Sequence, residues 1–333
     1  MGTIRAGFIG DLHFTDRQVG KYEDYFAMCQ EIGARISDTI IAEGLTHLFI
    51  GGDIVGVSSG DNTMKTHTAR LWLIQLFAQW SQLLNGNLYT IRGNHDGGAS
   101  TCDFDLLIGS MLVKHCDMVD VGAYRIHMFD YGADDKVPNI DSEKINLALM
   151  HSHFTVENKT NFIPFQGGVE LSDMANLKDC DIVVCGHIHN PSLGYIPTNI
   201  QGNDVMLIYP GCPTRAKASD NWDKTSMLVL ETNEENGEIV TEQKIVTFNL
   251  QPKAELLKET IADGTIQGID ENEENITNIE DLERILNDLN NFQIGGTGSY
   301  KEQLERLAGL NKPAADLAMK YIEKAEALGE SVK

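Results

Sequence analysis

Positive charge is what this chain most lacks. Lys and Arg number 26 against 49 Asp and Glu, a formal net charge of −23 at pH 7. That opposes DNA binding through a basic face, because phosphate neutralisation by Lys and Arg dominates such affinity. A phosphate-bearing substrate must then meet its counter-charge in bound metal ions or in a basic partner subunit. Also missing is any apolar run near the ~20 residues of a membrane span. The opening MGTIRAGFIGD has too few apolar positions before Asp11 for a secretory signal, and Ala6 stands where a myristoylation signal needs Ser or Thr. No two of the six cysteines are spaced CxxC, and most lie in apolar surroundings such as VVCG. This pattern indicates reduced, buried thiols in a cytoplasmic protein and argues against a zinc–thiolate site.

What is present is an ordinary globular composition, 42% hydrophobic and 23% charged, which builds a core without covalent staples. RAGFIGD (5–11), THLFIGGD (46–53) and NLYTIRGNHD (87–96) read as strands, separated by helical patterns at 17–43 and 64–85. This β-α-β-α-β order implies a parallel sheet with helices on its faces. A short helix (103–112), β-type segments (118–132) and a polar insert follow; INLALMHSHF (145–154) and DCDIVVCGHIHNPS (179–192) are buried strands. Residues 205–249 hold three or four strands and a hairpin. Beyond residue 252 helical patterns dominate, with 17 acids against 9 bases in 253–333. The division expected is a domain over 1–252 and an acidic helical region over 253–333, a candidate for partner binding or capping.

Five strands end in the same chemistry: GDLH (10–13), GGD (51–53), GNHD (93–96), MHSH (150–153) and GHIH (186–189). In open α/β sheets, sites gather beyond the carboxyl ends of the strands. Convergence there brings together Asp11, His13, Asp53, Asn94, His95, His151, His187 and His189. Oxygen and imidazole donors without thiolate suit Mn²⁺, Fe²⁺ or Zn²⁺. Asp-x-His and His-x-His place both side chains on one face of an extended segment. His151 directly follows LALM and is preferred as ligand over His153, which has the same-face spacing. His47, His67, His115 and His127 are expected to be structural or exposed.

These motifs, over about residues 5–215, resemble those of the calcineurin-like metallophosphoesterases. The resemblance implies a four-layer α/β/β/α sandwich, here with a small helical C-terminal extension, and a site for two divalent metal ions. Asp11, His13, Asp53 and His189 would hold one ion; Asp53, Asn94, His151 and His187 the other, with Asp53 bridging. His95 would face the phosphate and protonate the leaving oxygen. Asp96 would orient His95 by accepting its other N–H, or stand as an exposed turn carboxylate.

Protein Ser/Thr phosphatases are disfavoured, since Phe14 replaces a Gly, no Arg follows Asp53 and Asp96 replaces Glu. VMLIYPGCPTRAKASDNWDKTSMLVLET (205–232) is similar to the strand and hairpin of SbcD-type DNA-repair nucleases, with Cys212 where Ser is usual. That resemblance implies Mn²⁺-dependent DNA cleavage with an SbcC-type coiled-coil ATPase, in the cytoplasm of a bacterium or a phage-infected host, with no membrane involved. A homodimer is expected through helices such as 64–85, whose Leu71, Trp72, Leu76 and Trp80 form either that face or core. Gly56 occupies the place where such nucleases carry a His, which bears on exonuclease-type processing. The alternatives are a stand-alone phosphodiesterase acting on a small diester, and a non-catalytic scaffold, which the intact motifs argue against.

Overall fold

The computed structural model describes residues 3–19, 22–57, 62–97, 102–155, 169–192, 194–216, 222–235 and 238–250. The helical region expected over 253–333 lies outside them. In chain order the described elements begin with β1 (Ile4–Ile9), α1 (Tyr25–Ala42), β2 (His47–Ile50), α2 (His67–Leu83), β3 (Leu88–Thr90) and α3 (Asp103–Gly109). Then come β4 (Met118–Val121), β5 (Tyr124–Phe129), β6 (Ile145–His151), β7 (Phe154–Thr155) and β8 (Val169–Glu170). The last are β9 (Ile182–Gly186), β10 (Ile196–Ile200), β11 (Asn203–Ile208), β12 (Lys224–Glu235) and β13 (Glu238–Asn249).

The strands form two large mixed sheets and a two-stranded parallel pair, β7-β8. One large sheet has the order β13-β12-β1-β2-β3, the other β10-β11-β9-β6-β5-β4. The parallel arrangement expected for β1, β2 and β3 holds, and β12 closes onto β1 antiparallel. Alternation along each strand explains the stacking, because successive side chains leave opposite faces. Ala6, Phe8, Phe49, Leu147, Leu149, Ile182 and Val184 meet in one core between the sheets. Their neighbours Ile9, Leu48 and Ile50 join a second core with the helices, and Ala148, Met150, Val183 and Cys185 join a third. Strands buried on both faces therefore read as continuous apolar runs. Phe8, Phe49 and Tyr89 stack across β1, β2 and β3 at 4.8 Å spacings.

The α/β sandwich is thus present, with α1, α2 and α3 covering the first sheet. Among the described residues the second sheet is covered by two short 3₁₀ turns (Leu171–Asp173 and Ala175–Leu177) rather than by long helices. Apolar spacing ran ahead of the true start of α1, which lies at Tyr25, where the Asp24 side chain caps it by accepting from Ala27 N at 2.9 Å. In α2, Thr66 caps the start. Leu76 and Trp80 are core, Trp72 packs edge-on against Phe14 and Phe26, and Leu71 alone of the four is exposed.

Candidate metal centre

The two sheets are aligned so that β1, β2, β3, β6 and β9 all deliver their carboxyl ends to one place. The turns there are tight. His13 (φ 47°), Asp53 (φ 47°) and His187 (φ 76°) adopt left-handed backbone, unusual for side-chain-bearing residues. The same-face reading of Asp-x-His and His-x-His is therefore corrected: the strands stop at Ile9 and Gly186, and turns, not pleats, aim these rings. His187 and His189 accordingly reach different neighbours. Close approach also demands glycine: a Cβ on Gly93 would stand 2.1 Å from Asp53 Oδ1, and one on Gly186 would stand 2.4 Å from Gly51 O and 2.6 Å from Asp11 Oδ1.

The side chains fall into two groups sharing one carboxylate. In the first, His13 Nε2 lies 3.0 Å from His189 Nε2, and His189 Nε2 lies 3.8 Å from Asp11 Oδ2. In the second, Asn94 Oδ1 lies 2.9 Å from both His151 Nε2 and His187 Nδ1. Asp53 Oδ2 sits between, 3.6 Å from His13 Nε2 and 3.4 Å from His151 Nε2. Asp11, His13, Asp53 and His151 are all buried.

Protonation tests whether these groups suit a cation. His151 Nδ1 faces the Gly51 carbonyl at 2.7 Å, which only accepts, so Nδ1 carries the hydrogen. Its Nε2 lone pair then points at two further acceptors, Asn94 Oδ1 and Asp53 Oδ2. His13 repeats the pattern, with Nδ1 donating to Gly56 O and Nε2 turned to His189 and Asp53. Acceptors converging on acceptors repel unless a cation stands among them. Backbone carbonyls that fix the imidazole tautomer in this way are typical of metal-ligating histidines. Burial opposes charge on His151, yet Asp53 and Asp11 push it up to about 10. Burial and its histidine neighbours hold His13 well below its ordinary value, and burial and His151 hold His187 down to about 3. A single proton serves only one of the two groups. The donor set fits two divalent ions.

A family model of the calcineurin-like phosphoesterase superfamily domain matches residues 4–235, which include every residue of the two groups. The chain belongs to the calcineurin-like phosphoesterase superfamily. Membership supports metal-dependent phosphoester hydrolysis. Among solved structures, a Vps29 mutant from Entamoeba histolytica is similar at 16% identity, covering 74% of this chain and 100% of its own, with a TM-score of 0.31. Vacuolar protein sorting 29 from Cryptosporidium parvum matches at 16% identity over 74% of this chain and 98% of its own, with a TM-score of 0.34. No curated protein matches the sequence.

Three features of this phosphoesterase differ from, or escape, a reading of its sequence. Asp96 neither receives a His95 N–H nor stands exposed. It is buried, and its Oδ1 and Oδ2 accept from Ile54 N and Gly93 N, each at 2.9 Å. Burial and the nearby Asp53 charge push its carboxyl up to about 7, against the pull of those two amides. His95 is instead placed by its own backbone, whose N donates to Asp53 Oδ1 at 2.7 Å, and its ring lies edge-on to His13. His95 Nδ1 is buried and meets no hydrogen-bond partner among the described residues. Cys212, expected as a reduced, buried thiol, falls in one group with His13 and His189, their ligand atoms all within 4.8 Å of one another. Its unusual neighbourhood in sequence, PGCP, was the available signal; Cys212 N donating to His189 O at 2.8 Å is the tertiary cause.

The remaining histidines separate as follows. His153 is half-buried with its ring 6.0 Å from that of His187, while His151 is the one facing Asn94 and Asp53. His127 is buried and His67 is exposed. His115 Nε2 meets Asp130 Oδ1 at 2.8 Å, and the same oxygen accepts from Arg92 N, just before Gly93 and Asn94. The hydrogen bond to Asp130 raises the His115 pKa. A raised histidine stabilises the fold fully below its unfolded value near 6.5 and loses that contribution as pH rises through the folded value. His115→Gln should therefore lower Tm at pH 6 by about 1–2 °C, since a part-exposed pair contributes under about 1 kcal/mol. The difference should close by pH 9 in paired thermal melts; a gap independent of pH would show that the ion pair is not its source.

Proposed function

We propose that this phosphoesterase hydrolyses phosphodiester bonds of DNA using two divalent ions, Mn²⁺ by preference, as a nuclease subunit working with an SbcC-type coiled-coil ATPase. Asp11, His13, Asp53 and His189 hold one ion, and Asp53, Asn94, His151 and His187 the other. The observation that carries this reading is Asp53 Oδ2, within 3.6 Å of His13 Nε2 on one side and 3.4 Å of His151 Nε2 on the other. Two ions, when bound, supply charge for the phosphate and lower the pKa of a water. The chain's own residues do the rest. Asp53 spans both groups, Asn94 adds a neutral oxygen where further negative charge is unneeded, and His95 delivers a proton to the leaving oxygen. His95 Nε2 lies 3.9 Å from Asp53 Oδ2, so the ring stands beside the bridging group without being part of it.

DNA as substrate rests on the resemblance of residues 205–232 and on where that segment packs. Thr214 Oγ1 donates to Leu12 O at 2.7 Å, and Cys212 N to His189 O, so the Pro-Gly-Cys-Pro turn lies against the first and last motifs. The net charge of −23 favours an ATPase partner that supplies cationic surface, with the acidic segment 253–333 as its contact. The same charge favours a second reading, cleavage of a small phosphodiester that needs no extended basic face.

The test is cleavage of linear and circular, single- and double-stranded DNA with Mn²⁺ against chelator, with bis-p-nitrophenyl phosphate in parallel. Metal-dependent DNA cleavage supports the first reading. Hydrolysis of the small diester with DNA intact, even with an added ATPase partner, selects the second. His95→Ala should keep its metal content and lose about 10² in kcat, the usual scale of general-acid catalysis. Loss of metal in that variant would instead make His95 a ligand.

A further inference from the structure

We propose that Tyr131 forms a stacking subsite for a planar aromatic group of the substrate, the base of a nucleotide, at the lip of the metal centre. This rests on the phosphodiesterase reading above and adds what the site recognises beyond phosphate. The Tyr131 ring leans on His187, with centroids 5.9 Å apart and planes at 29°, and meets His151 edge-on at 5.9 Å. It touches one ring from the second metal group on its face and another on its edge, yet remains 54% exposed. A large aromatic side chain held open to solvent beside buried ligands is unusual, because burying it would be favourable.

The backbone that carries the ring is fastened on both sides. Tyr131 N donates to Arg92 O at 2.8 Å, Arg92 N donates to Asp130 Oδ1 at 2.8 Å, and the turn continues through Gly132 at φ 78°. Further along, Ser152 next to His151 bonds to Asp134. The loop carrying Tyr131 is thus fastened to the ends of β3 and β6, beside His187 and His151. The nearest cation on that strand end is already committed: Arg92 Nη2 lies 2.7 Å from Asp105 Oδ1, Nη1 2.6 Å from Asp96 O, and the guanidinium lies over Phe104. An open aromatic face accepts any base by stacking, without a charged partner.

The experiment compares two probes, thymidine 5′-monophosphate and methyl phosphate, by calorimetric titration of the Mn²⁺-loaded full chain. Both carry the phosphate and only one carries a base. The wild type should bind the nucleotide about tenfold more tightly or better, the scale of one base on one aromatic ring. In Tyr131→Ala the ratio should fall to near one, and in Tyr131→Phe it should persist, which separates stacking from loss of the hydroxyl or of the fold. A wild-type ratio of one, binding of neither probe, or a ratio that survives Tyr131→Ala overturns the subsite. Neither titration requires turnover, so a chain that cleaves no DNA, even with an added ATPase partner, yet shows the ratio keeps the subsite and loses the nuclease reading.

Discussion

Asp53→Asn is expected to abolish metal-dependent hydrolysis while leaving a folded chain. Asp53 is buried and its carboxylate has three engagements: Oδ1 accepts from His95 N, and Oδ2 faces His13 and His151. Asparagine keeps one oxygen, enough to hold the His95 backbone, but puts an amide nitrogen or a neutral oxygen where a charge must face both groups. Losing one of two ions removes several kcal/mol of charge stabilisation, so kcat on bis-p-nitrophenyl phosphate should fall about 10³-fold or more. Metal content by elemental analysis should drop from two ions per chain to one or none. The carboxylate that helps push His151 up to about 10 is also gone, so the His151 ring should hold its second proton less tightly. A variant that keeps two ions and works within tenfold of the wild type would refute the bridging role.

Asp96→Asn should act through the backbone. One carboxylate accepts from Ile54 N in the turn after β2 and from Gly93 N in the turn after β3. It clamps Asp53 to Asn94 and His95, whose relative placement is the site. An asparagine offers one acceptor and turns an N–H group toward the other amide, leaving a buried donor unsatisfied at about 2–3 kcal/mol. Tm should fall by about 5 °C, and metal affinity by about 10- to 100-fold, as when partners outside the ligand set are lost. Asp96→Asn and His95→Ala then separate cleanly. The first loses stability and metal together; the second loses turnover alone. Full metal content with a changed pH profile in Asp96→Asn would restore the role of a direct partner to the His95 ring.

The contrast between Asp96 and His95 shows where a sequence stops being readable. Side by side in GNHD, an acid next to an imidazole suggests a pair. In the fold the turn sends them apart, the acid into the protein toward an amide 42 residues earlier in the chain, the ring toward the first metal group. The stripe on α2, readable either as a dimer face or as core, shows the same limit. Apolar spacing marks a buried stripe but not what buries it, and here α1, α3 and the first sheet do.

Sequence alone determined the strands buried on both faces, two amphipathic helices between the first three of them, and a chemistry of carboxylates, an amide and imidazoles after five strand ends. Those follow from periodicities of two and 3.6 residues and from donor type, which are local properties. The family resemblance implied the two groups, but only the tertiary structure set the contacts within them: His189 to His13, His187 to His151 and Asn94, and Asp53 between. It also brought Cys212 to His13 and His189, and Tyr131 to His187. These contacts join residues far apart in the chain. They depend on how two sheets pack and on left-handed turns at His13, Asp53 and His187, which no local pattern encodes.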